Sequence, residues 1–194
     1  ETYNNCVNNK YKLIKIKKRY QNYPLAKTKI IGIGLENKRN YISEESFKIA
    51  KKFLDKNNQV LFFLNRRGFA PFVFCKKCFN KYICPNCSIN LVYHKKKNNL
   101  LCHYCGFKSS LKRTCVKDGD CEFIFSGPGV ERISEEVKKN FPSKKIEIFS
   151  SDTMNKKSSS EKLEKIINNE VQILVGTQLI SKGFHFPSLN CIVV

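Results

Sequence analysis

The sequence predicts an α/β fold: a parallel sheet with helices on both faces, interrupted by a small cysteine-rich module. Three observations carry that expectation. Apolar runs of strand length alternate with amphipathic helical segments, the pattern of a parallel sheet covered on both sides. One run, Gln59 to Leu64 (QVLFFL), has no polar alternation, as expected of a strand buried on both faces. Eight of the ten cysteines fall in four close pairs between Cys75 and Cys121.

In chain order, the basic stretch Tyr11 to Lys17 reads as a strand, and Ile30 to Gly34 as a second apolar stretch. The two glycines of the latter predict a loop, since no G-x-G-x-x-G or helix follows. A helix is expected after Ser43. Ser43 is a good N-cap, Glu44 and Glu45 suit the positive helix end, and Ile42 and Phe47 have staple spacing. Phe47, Ala50 and Leu54 mark its apolar face. The strand Gln59 to Leu64 then leads into Asn65-Arg66-Arg67-Gly68. After the cysteines, Phe123 to Phe125 resumes the α/β pattern as a short strand. Gly127-Pro128-Gly129 turns into a helix with Val130, Ile133, Val137 and Phe141 on one face, ended by Pro142. Lys145 to Phe149 is the next strand. Ser158 to about Asn169 is a helix, with capping-box spacing at Ser158 and Glu161 and with Leu163, Ile166 and Ile167 inward. Gln172 to Val175 is a buried strand running into Gly176-Thr177-Gln178. Cys191 to Val194 reads as an unfinished buried strand; with no initiating Met, the chain is expected to be a piece of a longer protein.

The pairs are Cys75/Cys78, Cys84/Cys87, Cys102/Cys105 and Cys115/Cys121. Three are C-x-x-C, which lets two thiolates reach one tetrahedral metal from a tight turn. Four pairs supply enough ligands for two closed four-thiolate sites, which organise a fold and leave no position open for substrate. Such sites suit zinc or iron. Disulfides are disfavoured: no signal peptide opens the sequence, no run is long enough to span a membrane, and an α/β core needs no staples. A thioredoxin-type role fits poorly with four adjacent pairs interleaved with Lys. Cys191 reads as a buried small hydrophobe. His94 and His103 read as exposed polar residues, since thiolates are sufficient.

The chain has 194 residues and a formal charge of +20, which favours a polyanionic partner. A lysine-rich genome would raise the total but would not clear acids from one segment. From Lys56 to Lys117 there is no Asp or Glu, so the cysteine module is expected to present a basic surface to phosphates. Arg66, Arg67, Gly127, Gly129, Gly176, Thr177 and Gln178 all fall at predicted strand ends, where functional loops of parallel sheets gather.

These features together resemble the primosomal protein N′ family of bacterial replication-restart helicases, over essentially the whole chain. The resemblance lies in Asn65-Arg66-Arg67-Gly68-Phe69-Ala70 after a strand, paired cysteines directly behind it, Gly127-x-Gly129-x-Glu131, and Gly176-Thr177-Gln178 followed by Lys182-Gly183-x-His185-Phe186-Pro187. It implies a superfamily 2 DNA helicase that moves 3′ to 5′, hydrolyses ATP with Mg2+ between two RecA-like lobes, acts at stalled forks, and works in the cytoplasm with primosome proteins and the replicative helicase. Residues 1–40 would then be the end of lobe 1 and a linker, 41–74 the start of lobe 2, 75–121 the zinc-binding insertion, and 122–194 the rest of lobe 2. The implied zinc ions are two, one held by Cys84, Cys87, Cys102 and Cys105 and the other by Cys75, Cys78, Cys115 and Cys121. The last pair departs from C-x-x-C by its wider spacing, which a turn at Asp118-Gly119 would close. No G-x-x-x-x-G-K-[ST] loop or acidic Mg2+ motif is present in the sequence, so the segment alone is not expected to hydrolyse ATP.

The resemblance also implies a coupling role between nucleotide and DNA for Gly176, Thr177, Gln178, Lys182 and Gly183. The plainer alternatives are a capped turn at Thr177 and Gln178, a surface lysine at Lys182, and backbone freedom at Gly183. His185 reads as a packed histidine between two phenylalanines. Arg66, Arg67, Lys95, Lys96 and Lys97 are candidate DNA contacts, although one arginine would serve equally to tie the module to the sheet. Tyr82, Tyr93, Tyr104 and Phe107 would stack on bases or fill the module's core. A non-enzymatic zinc-ribbon adaptor is the competing reading, and it has no need of the Gly176-Thr177-Gln178 loop.

Overall fold

The computed structural model describes residues 1–18, 24–32, 40–111, 114–115, 117, 119–151, 156–181 and 183–194. Ile33 and Gly34, Lys112, Arg113, Asp118 and Lys182 lie outside them, as do the side chains of 156–159 and 181 and hence the capping box expected at Ser158. The chain divides into two compact units, Glu1–Ile30 and Ile31–Val194.

The first unit holds one short helix, α1 (Thr2–Val7), with no buried residue. The strand expected at Tyr11 to Lys17 does not form. Leu13, Ile14 and Ile16 are exposed, so the run has no apolar surface to pack on.

In the second unit, α2 (Glu44–Leu54) starts as expected: Ser43 Oγ accepts from the Ser46 amide, and Glu44 and Glu45 lie in the first turn. Strand β1 (Gln59–Phe63) follows. Two short segments, β2 (Phe72–Cys75) and β6 (Phe123–Ser126), frame the cysteine module, which contains β3 (Val92–His94), β4 (Asn99–Leu101) and β5 (Lys108–Ser109). Then come α3 (Val130–Asn140), β7 (Ile146–Phe149), α4 (Lys156–Ile167), β8 (Ile173–Gly176), a 3-10 turn at Gln178–Ser181, and β9 (Leu189–Val193).

The main sheet has the order β7-β8-β1-β9, with every pair parallel. Both faces are covered, and β1 shows why its sequence lacks alternation. Val60 and Phe62 join Phe47, Ala50, Val130, Ile133 and Val137 of α2 and α3 on one face. Leu61 points the other way, into a core with Phe149, Ile166 and Leu174. Gln59 is also fully buried, its Nε2 donating to the carbonyls of Ile166 at 2.7 Å and Val171 at 2.8 Å. Those bonds satisfy the amide nitrogen, while Oε1 is buried without a partner. Lys162 pairs with Glu147 across α4 and β7.

Three expectations change. Phe123 to Phe125 is not part of the parallel sheet; β6 pairs antiparallel with β2, an element hidden in sequence by its overlap with the first cysteine. Ile167, expected inward, is 50% exposed because α4 ends there. The last strand lies at the sheet edge, with Ile192 59% exposed, so it is not buried on both faces; Cys191 packs against the core from the edge.

Candidate metal centres and their junction with the sheet

Three turns in the module repeat one geometry. After each C-x-x-C, the next residue takes a left-handed backbone: Phe79 at φ 57°, Ser88 at 54°, Gly106 at 80°. Its amide donates to the carbonyl of the first cysteine, Phe79 to Cys75, Ser88 to Cys84 and Gly106 to Cys102, at 2.8–3.0 Å. A left-handed non-glycine residue costs about 1–2 kcal/mol, so Phe79 and Ser88 are held there by something worth more than their strain. The fourth pair differs. Cys115 and Cys121 flank a hairpin in which the Cys115 amide donates to the Gly119 carbonyl and Thr114 bridges Asp120. That hairpin brings the widely spaced pair together.

Cys75, Cys78, Cys115 and Cys121 form one set, and Cys84, Cys87, Cys102 and Cys105 a second; within each, all sulfurs lie within 4.8 Å of one another. Cys75 and Cys115 are 3.8 Å apart, and Cys84 and Cys105 3.5 Å. Four thiolates on one tetrahedral zinc at about 2.3 Å stand about 3.8 Å from each other. A disulfide would need about 2.0 Å, and all ten cysteines are free. The donor set and spacing fit zinc. Within each set the thiols differ. The Cys78 amide holds Cys75 down at about 6, and the Phe107 amide holds Cys105 at about 6. Burial pushes Cys87 and Cys121 up to about 12. Four such thiols do not ionise together at neutral pH without a cation among them.

The first set closes the end of the β2–β6 ribbon where β2 stops and β6 starts, and the second ties the β4–β5 hairpin to the Cys84 turn. Between them the module has its own core of Val73, Leu91, Tyr93 and Leu100, flanked by Phe69, Tyr82, Phe107 and Phe125. Of the four aromatics proposed for base stacking, Tyr93 is therefore core and Tyr82 and Phe107 line it; Tyr104 is 85% exposed.

The module is fixed to the sheet at a junction of two glycines. Gly68, with φ +69°, passes so close to β3 that a Cβ would stand 2.5 Å from Val92 Cγ1. At Gly129 a Cβ would stand 2.2 Å from the Gly68 carbonyl oxygen. This proximity allows three amides at the start of α3 to reach the preceding loop: Gly129 to Phe69 O, Val130 to Arg66 O and Glu131 to Gly68 O. Arg132 caps the arrangement, donating to the carbonyls of Phe125 and Gly127 with its guanidinium 4.3 Å from the Phe69 ring centroid.

Arg66 and Arg67 are exposed at the carboxyl end of β1 and line an open cleft of about 330 Å3 together with Asn65, Asn90, Val92 and His103. Lys96 and Lys97 are exposed on the β3–β4 turn. Lys95 is committed locally: its Nζ binds both oxygens of Glu135 at 2.7 and 2.8 Å. Gly176 ends β8, and Thr177 behind it is 5% exposed, its amide donating to the Phe149 carbonyl. The Thr177 amide is thus not available to a phosphate. Gly183 is exposed with φ +74°. His185 is exposed, not packed; Phe184 instead meets Phe149 edge to face and stacks on Phe186. His94, expected at the surface, is 3% exposed and bonded to Glu131. The partner lies 37 residues ahead on another element, so nothing local in the sequence announces it. No helix among the described residues is long and apolar enough to cross a membrane.

Residues 84–109 match the family model described as the PriA DNA helicase Cys-rich region, which takes in the whole second cysteine set. Over 99% of its length the chain is 40% identical to the replication restart protein PriA of Rickettsia felis, 36% to that of Haemophilus influenzae and 31% to that of Bacillus subtilis. It spans 30%, 26% and 24% of those relatives respectively. With both cysteine sets mounted at the carboxyl edge of a parallel sheet, the chain belongs to the family of replication restart protein PriA.

Proposed function

We propose that this chain is the part of an ATP-dependent, 3′-to-5′ DNA helicase that grips forked DNA during replication restart in the cytoplasm. On this reading 41–74 and 122–194 belong to a RecA-like second motor lobe, 75–121 is a zinc-binding insertion, and 1–40 joins it to the first lobe. ATP and Mg2+ are bound with the help of residues elsewhere in the parent protein. Two zinc ions, one per cysteine set, fasten the insertion and have no part in the chemistry. Primosome proteins and the replicative helicase are the expected partners.

The observation that carries the reading is one of placement. The Arg66–Arg67 loop, the cleft beside it and the Gly176-Thr177-Gln178 loop all stand at the carboxyl edge of one parallel sheet, where such folds bind ligands. Arg66, Arg67, Lys96 and Lys97 supply phosphate contacts from the acid-free segment. Gly176, Thr177, Gln178, Lys182 and Gly183 relay nucleotide state to the strand, with the Thr177 hydroxyl and Gln178 side chain as the polar groups.

The test uses the full-length restart protein. Gln178→Ala should lower DNA-stimulated ATP hydrolysis about tenfold or more while leaving fork affinity within about twofold, as loss of an interaction made only during turnover does. Arg66→Ala with Arg67→Ala should instead weaken fork binding. Full unwinding activity in the Gln178 variant would overturn the coupling role of this loop, and a full-length protein that binds forks but hydrolyses no ATP would favour the adaptor.

A further inference from the structure

Neither histidine of the module is needed as a ligand by the cysteine sets, yet one of them is buried and both are engaged. Glu131, in the first turn of α3, accepts from His94 Nδ1 at 2.8 Å and from the Lys95 amide at 3.1 Å, one bond on each carboxylate oxygen. His94 Nε2 stands 3.0 Å from His103 Nε2, with the rings edge to face. His103 lies between Cys102 and Cys105, inside a metal knuckle. A carboxylate only accepts, so His94 donates from Nδ1; in the neutral ring Nε2 then accepts, and His103 Nε2 donates. The chain of bonds thus has one direction, from the knuckle to the helix.

We propose that Glu131, His94 and His103 are positioning residues that hold the Cys102–Cys105 knuckle against α3, so that zinc in the second cysteine set and order in the first turn of α3 stabilise each other. The physical ground is that groups orienting a metal's ligands change its affinity by about 10–100-fold when removed. Coupling between two sites is also reciprocal. His94 stands on β3 and His103 between Cys102 and Cys105, neither of them on a turn of the first cysteine set, which serves as the internal control. This inference rests on the zinc reading above.

The zinc-loaded chain is challenged with EDTA in the presence of an alkylating agent, and mass spectrometry reads each cysteine separately. In Glu131→Gln, Cys84, Cys87, Cys102 and Cys105 should be labelled about tenfold faster than in wild type, with the other four unchanged. His103→Ala, at a half-buried position, should act in the same direction and guards against a Glu131 variant that misfolds. Nitrogen-15 spectra of the imidazoles should show the Nδ1–H form of His94 and the Nε2–H form of His103, both lost as single forms in Glu131→Gln. Conversely, Cys105→Ser should speed amide exchange in the first turn of α3. Wild-type labelling rates at the second set in both variants, with zinc bound, would overturn the link. A wild-type chain that holds no zinc would overturn the metal reading itself.

Discussion

Replacing Gly129 with Ala should be strongly damaging for a single added methyl. The added Cβ would stand 2.2 Å from the Gly68 carbonyl oxygen, 2.7 Å from its carbon and 2.8 Å from the Arg67 oxygen. All three are backbone atoms, so no side chain can swing aside. Relief requires α3 to withdraw from the 66–69 loop, which breaks the amide bonds of Gly129, Val130 and Glu131. Overpacking costs about 1–3 kcal/mol, and exchanging Gly for Ala at an N-cap adds roughly 0.5–1 kcal/mol. A loss of about 3 kcal/mol is expected, or roughly 1 M in urea midpoint for a domain of this size. Gly106→Ala is the comparison. Unlike Gly129, which is extended, Gly106 is left-handed at φ +80°, but nothing lies within 4 Å of its Cβ position, so the change should cost about 1–2 kcal/mol. Both are measured at saturating zinc, so that metal loss does not enter. If Gly129→Ala loses no more than Gly106→Ala, the close packing of α3 on the loop is not what fixes the module.

Ser88→Gly should raise stability by about 1 kcal/mol, read as a higher urea midpoint, because Ser88 is held at φ 54°. Gln59→Leu should cost about 1 kcal/mol, because the Val171 carbonyl loses the Gln59 donor while the Ile166 carbonyl keeps the Asn169 amide and the unpartnered Oε1 is removed; unchanged stability would show those bonds to be idle. Metal analysis should find two zinc ions per chain, falling to one in Cys84→Ser. Zinc affinity should rise with pH. Above about 6, Cys78, Cys84, Cys87 and Cys121, all raised above the ordinary thiol value, must release protons on binding, while below about 6 Cys75 and Cys105 are protonated too and the dependence steepens; competition against a chromophoric chelator across this range checks the sign. Fork affinity should fall steeply with salt, and removing Arg66 and Arg67 should flatten the log–log slope by about 2 if each neutralises one phosphate.

What the sequence revealed and what it hid follow from the range of the interactions. The cap at Ser43, the helical faces and the two-sided burial of β1 are set by residues within a few positions of each other, and periodicity exposes them. The three C-x-x-C turns are equally local. By contrast, β2 was masked because Phe72 to Cys75 merges with the first cysteine pair, and its partner β6 lies some fifty residues on. The lone turn between Cys115 and Cys121 could be expected, but nothing nearby pointed His94 at Glu131. The exposed run at Tyr11 to Lys17 erred in the opposite direction: a strand-like pattern forms no strand without a partner edge.

The missed contacts share one place. Gly68, Tyr93, His94, Gly129, Glu131 and Arg132 all meet where the module leaves and re-enters the sheet. A metal knuckle on two plain strands would be free to swing. Here the β3 backbone is bonded to Phe69, the Phe69 carbonyl to Gly129, and the Glu131 carboxylate back to β3. This closed circuit makes the module's orientation a property of the sheet. A motor lobe that changes its grip with nucleotide would therefore carry the cysteine module with it as one body, and the arginine loop at the centre of the circuit would move with both. The proposed function requires that rigid coupling, and Gly129→Ala is the smallest change that would loosen it while leaving every cysteine and every arginine in place.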